Sequence, residues 1–108
     1  MSNNEYLTSI SMKIILHSGN ARTKANKALD ELAEHKFDRA KKLMEEARNE
    51  IILAHQAQTK IIQEEASGEH YEPSLLFSHA QDTLMTIMSE LNITEKLIML
   101  FETLENKR

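Results

Sequence analysis

Cysteine is absent from this 108-residue chain, which removes disulfides, thiolate nucleophiles and cysteine-ligated metals together. Tryptophan is absent too, proline occurs once and glycine twice, so few positions can interrupt regular structure. The formal charge of −4 lacks the basic excess that a nucleic-acid partner demands. No apolar run approaches the roughly 20 residues of a membrane span. The polar opening Met1-Ser2-Asn3-Asn4-Glu5-Tyr6 does not read as a signal peptide. A cytoplasmic protein without membrane insertion is expected. No glycine-rich phosphate loop occurs, so direct nucleotide binding is not expected. The chain reads as a single domain over 1–108. A domain of this size buries only about two-thirds of its unfolded surface, and a core shared with other subunits would help it.

What is present is helical periodicity. The clustered breakers are confined to Ser67-Gly68 and the neighbourhood of Pro73, which divides the chain into three long helices. The first is predicted from about residue 4 to 34, with Ile10, Ile14, Ala21, Ala25, Ala28 and Leu32 as its apolar stripe. The second starts just after Phe37-Asp38, with Asp38 as its N-cap. It carries Ala40, Met44, Ala47, Ile51, Ala54, Gln58 and Ile61 inward and ends at Gly68. The third follows Pro73, capped by Ser74, and runs to about residue 104. With no repeats and no low-complexity linker, the simplest architecture is an all-α, antiparallel three-helix bundle.

The third helix is too apolar for a surface element. Phe77, Ala80, Leu84, Ile87, Met88, Leu91, Ile98 and Phe101 make one stripe, enough for the intramolecular core. Leu97-Ile98-Met99-Leu100-Phe101 then leaves no polar face at that level. A second buried surface is implied, and self-association would supply it. Along that second face run Leu75, His79, Asp82, Thr86, Ser89 and Ile93.

Within the same helix His79 and Asp82 stand three residues apart, on one face about a turn from each other. Neutral imidazole can act as nucleophile, base or metal ligand, and a nearby carboxylate can orient it or bind a cation. By itself such a pair is more often a half-buried, hydrogen-bonded histidine. Its context is more specific. The string His79-Ala80-Gln81-Asp82, followed by Leu84-Met85-Thr86, resembles the phosphorylation-site motif of the enzyme IIA component of the lactose/cellobiose family of the bacterial sugar phosphotransferase system. Three further blocks match that family in order: Ile14-Ile15-Leu16-His17-Ser18-Gly19-Asn20-Ala21-Arg22, Ala54-His55-Gln56-Ala57-Gln58-Thr59 and Glu65-Ala66-Ser67-Gly68-Glu69. The resemblance covers nearly the whole chain.

The resemblance implies a phosphocarrier. His79 would accept a phosphoryl group from phospho-HPr and pass it to a cysteine of enzyme IIB, which phosphorylates sugar entering through the membrane component IIC. It also implies a homotrimer whose third helices surround a three-fold axis, three chains of three helices making nine. If the second face looks toward that axis, three Asp82 carboxylates converge and would repel in a dry interface. A hard divalent cation, Mg²⁺ or similar, relieves this, and the family precedent is one such ion per trimer. A protonated or water-bridged Asp82 is the alternative. Gln81, almost opposite His79 on the helix, would serve the histidine of a neighbouring subunit. His55 and Gln58 are candidates for support of the site, with structural hydrogen bonding equally open. Many relatives carry a second histidine after this motif where this chain has Thr83, which puts the role of that histidine in doubt here.

The early Ile-Leu-His-Ser-Gly-Asn segment and Ala80 resemble the cellobiose/chitobiose type more than the lactose type. His17 borders the first stripe and reads as a packed histidine; His35 and His70 sit at element ends in polar company. Glu-x-x-His does not occur, which counts against a di-iron bundle. Two other classes compete: a helical adaptor, weakened because only one hairpin-repeat-like unit occurs where about three are needed, and a structural oligomeriser whose histidine does no chemistry.

Overall fold

The computed structural model describes residues 3–108. Three helices form it: α1 Asn3–Ala33, α2 Phe37–Ala66 and α3 Leu75–Asn106, laid side by side in a rod of 58 × 20 × 18 Å. The predicted stripes of α1 and α2 are buried residue for residue, and Leu7, Ser11 and Ser18 extend the first. Alanine recurs in both stripes, with Ala21, Ala25 and Ala28 on α1 and Ala40, Ala47 and Ala54 on α2. Small side chains let the two backbones approach closely. No helix among the described residues is long and apolar enough to cross a membrane.

The chain reverses twice, both times by one mechanism. After α2, Gly68 takes φ 109°, its N–H donates to the Glu65 carbonyl at 3.1 Å, and the Glu69 N–H reaches back to Glu64 at 3.0 Å. This is a Schellman cap with glycine at the left-handed position. After α1 the same pair of bonds recurs, His35 to Leu32 at 2.9 Å and Lys36 to Glu31 at 3.0 Å. Here a histidine occupies the left-handed position, at φ 60°. A side chain there costs on the order of 1–2 kcal/mol relative to right-handed backbone.

That cap shifts the start of α2. Lys36, not Asp38, holds the N-cap position and makes no side-chain cap bond. Asp38 falls inside the first turn, where its charge still complements the positive end of the helix. Ser74 caps α3 as predicted, its hydroxyl accepting from the Phe77 N–H at 3.1 Å.

On α3, Ala80, Leu84, Ile87, Leu91 and Ile98 are buried, with Phe77 and Met88 packed partly against the core. Phe101 is the exception, 51% exposed. The register set by Arg22 against Glu90 puts Phe101 level with Ala33, the last residue of α1, so no further turn of α1 covers it. Thr94 is buried in the stripe instead, its hydroxyl bonded to the Glu90 carbonyl at 2.8 Å. Two arginine clamps hold the helices in register. Arg22 donates from Nε and Nη2 to the two carboxylate oxygens of Glu90 at 2.8 and 2.9 Å, and Arg48 grips Glu95 and Asn92.

Candidate functional site

The predicted second face of α3 is open to solvent throughout: Leu75, His79, Asp82, Thr86, Ser89 and Ile93 are all exposed. They recur at alternating four- and three-residue steps, the spacing of a coiled-coil seam. Leu75 is 92%, Ile93 58% and Leu100 58% exposed, so the same stripe carries large apolar side chains that the single chain leaves in water.

His79 lies in the second turn of α3, its placement fixed by the Ser74 cap. Among the described residues its ring has no hydrogen bond or ion pair. The other four histidines are engaged. His17 is held by Glu50 at 2.6 Å in a half-buried pair, His35 lies 3.6 Å from Glu105, His55 3.5 Å from Thr59, and His70 3.0 Å from Glu72. Exposure and an unengaged ring are what a nucleophile needs if its partner is another protein, because nothing has to be displaced before attack.

Gln81 points elsewhere. It is partly buried and lines a cavity of about 270 Å³ with Leu7, Ile61, Tyr71, Phe77 and Ser78, on the side of α3 away from His79. It cannot reach its own histidine, as the helical angle requires. His55 is equally remote. The Arg48–Glu95 pairing sets antiparallel α2 so that His55 is level with Met88, nine residues and about 13 Å along the axis from His79. Gln58 is buried, and its Oε1 has no partner among the described residues.

Asp82 is exposed and forms no ion pair among the described residues. No group of three or more His, Asp or Glu side chains that could hold a metal ion occurs among them. Carboxylate oxygens suit a hard divalent cation. One such side chain does not by itself make a site.

A network absent from the sequence reading braces the start of α3. The hydroxyls of Tyr6 and Tyr71 both donate to the Glu64 carboxylate at 3.0 Å, one to each oxygen, and the two rings stack. The Asn3 side chain donates to the His70 carbonyl at 2.7 Å. Burial and the Glu64 carboxylate together push the Tyr71 phenol up to about 12. These bonds tie the loop before Ser74 to both α1 and α2.

The structure is thus an all-α domain, a rod of three helices that presents one histidine without a hydrogen-bond or ion-pair partner among the described residues on an open face. Comparison with known proteins gives the class a family. A model of the "PTS system, Lactose/Cellobiose specific IIA subunit" matches residues 9–102. The lichenan-specific phosphotransferase enzyme IIA component of Bacillus subtilis is 38% identical over 105 residues, 97% of this chain and 96% of that protein. The crystal structure of a cellobiose-specific enzyme IIA from Bacillus anthracis superposes with a TM-score of 0.86 at 40% identity, covering 93% of this chain and 92% of that one. The IIA(Chitobiose) subunit solved in complex with HPr, from the N,N′-diacetylchitobiose branch of the Escherichia coli phosphotransferase system, does so with a TM-score of 0.78 at 35% identity, covering 92% and 96%. The chain belongs to the lactose/cellobiose family of phosphotransferase-system enzyme IIA components.

Proposed function

We propose that this chain is a cytoplasmic histidine phosphocarrier in which His79 takes a phosphoryl group from phospho-HPr and hands it to the cysteine of a cognate enzyme IIB. The observation that carries the reading is the state of His79: it is the histidine of the motif, it is exposed, and its ring is unengaged where the other four are held. A relative in this family was solved bound to HPr, which supports HPr as donor. Phosphoryl transfer asks little covalent work of a protein beyond a placed nucleophile and charge stabilisation, and a neutral imidazole nitrogen meets the first demand. The sugar is a β-linked disaccharide of the cellobiose/chitobiose type, taken up through the membrane component IIC that this subunit does not itself enter; the lichenan, cellobiose and chitobiose relatives support that type.

The working form is a homotrimer with the exposed seams of α3 facing one another. Burial of Leu75, Ile93 and Leu100 drives it. Asp82 from each chain converges on one divalent cation, Mg²⁺ by ligand hardness. Such an ion supplies positive charge that offsets the three carboxylates. Gln81, turned away from its own His79, supports the histidine of the adjoining subunit, placing each site across a subunit boundary.

Incubation with enzyme I, HPr and phosphoenolpyruvate tests the reading. The wild type should acquire one acid-labile phosphate per chain, and His79→Gln should stay folded and unlabelled. Labelling of His79→Gln, or phosphate mapping to His17, His35, His55 or His70, refutes it.

A further inference from the structure

Thr83 stands one helical turn beyond His79, and its hydroxyl has a single proton to give. That proton is engaged: Oγ1 donates to the His79 backbone carbonyl at 2.8 Å. A hydroxyl oxygen whose proton is so held can only accept from any further partner. The same four-residue spacing from histidine to threonine occurs on α2, where Thr59 Oγ1 lies 3.5 Å from Nδ1 of His55. The spacing thus allows a threonine hydroxyl to meet the near ring nitrogen of the histidine one turn earlier, a contact made at His55 and not at His79, whose ring stands clear of Thr83. Thr59 makes no carbonyl bond among the described residues and can donate or accept, which leaves the His55 tautomer open. At Thr83 that freedom is gone.

We propose that Thr83 is a positioning residue for His79: its oxygen accepts from the Nδ1–H of the imidazole, which selects that tautomer and turns the unprotonated Nε2 outward as the nucleophile. In the single chain the ring has no partner among the described residues, and an exposed side chain changes rotamer within nanoseconds, so the ring is free to swing onto Thr83. The tautomer follows from the direction of the Thr83 bond. Its consequence for transfer rests on the reading of His79 as phosphoryl acceptor.

In that step the Nε2 lone pair forms the new P–N bond while the P–N bond to the donor's protonated ring breaks, its electron pair remaining on the donor nitrogen. The donor leaves as neutral imidazole. Nδ1 of His79 keeps its proton throughout, so the acceptor becomes a phosphorylated imidazolium. Its N–H is a stronger donor than before, and the bond to Thr83 strengthens as the positive charge appears.

Asp82 is the rival acceptor, three residues from His79 on the same exposed face, and the test separates the two. Nitrogen-15 NMR of the unphosphorylated full chain at about pH 8, where an ordinary imidazole is neutral, should show His79 chiefly as the Nδ1–H tautomer. Thr83→Val should move it toward Nε2–H, Thr83→Ser should restore it, and Asp82→Leu should leave it in place. Phosphoryl transfer from phospho-HPr should slow about fivefold in Thr83→Val, the loss of one ordinary hydrogen bond, with Thr83→Ser close to wild type. A wild-type His79 that is mainly Nε2–H overturns the proposal, as does a tautomer unmoved by Thr83→Val, or one moved by Asp82→Leu instead. If the tautomer shifts as stated while His79→Gln still acquires phosphate, Thr83 positions the ring and the phosphocarrier assignment of His79 is what fails.

Discussion

Ile93 lies at the middle of the open α3 seam, 58% exposed in the single chain, and Ile93→Ala measures what that seam is for. Fully burying an isoleucine is worth about 1.5–3 kcal/mol, so the fraction left for an assembly to bury is worth roughly 1–1.5 kcal/mol per chain. Truncation should therefore cost a trimer about 3–4 kcal/mol, two to three decades in its dissociation constant. Because three chains dissociate together, the concentration at half-dissociation moves by the square root, roughly 10- to 30-fold upward. The isolated bundle should hardly notice, since surface substitutions usually stay within about 0.5 kcal/mol. Leu16→Ala is the control: Leu16 is 60% exposed, but on α1, outside the seam. Sedimentation equilibrium across a dilution series reads both. The reasoning fails if the wild type is monomeric at micromolar concentration, or if the two variants dissociate alike.

Replacing Asp82 with leucine should leave the trimer intact or tighter, because buried ionic groups exchanged for apolar ones are often neutral or stabilising, and it should abolish any response to chelators; a wild-type assembly that binds no divalent ion and ignores chelators contradicts the shared-cation reading. Tyr71 ionises late, so the folded state favours its neutral form: its contribution is complete below the ordinary phenol range near 10 and is lost as pH climbs through about 12. Denaturant melts of Tyr71→Phe should accordingly show a shallower fall across that window than the wild type. His35→Gly should raise stability by about 0.5–1 kcal/mol, the left-handed strain removed less the extra freedom glycine brings to the unfolded chain; a melt showing destabilisation would mean that the exposed His35–Glu105 pair outweighs the strain.

Local pattern sufficed for much of this protein. The seven inner positions of α2, Ala40 through Ile61 at helical spacing, are buried as read, because burial on an amphipathic helix depends on periodicity within a few turns of the same chain. Gly68 and Ser74 declared their turns for the same reason: left-handed backbone and a side-chain cap are decided by neighbours two or three residues away. The histidine motif and its companion blocks, read together, carried the family.

Tertiary structure decided what depends on the register between helices. The His17–Glu50 and His35–Glu105 pairs join residues far apart in the chain, and they followed only once α1, α2 and α3 were set against one another. Phe101 belongs to the apolar period of α3, yet it stands uncovered because α1 ends level with it, and the length of one helix cannot be read from the stripe of another. Asp38 lost the cap position to a turn built on His35, whose left-handed backbone goes with the bonds from His35 to Leu32 and from Lys36 to Glu31 that close α1.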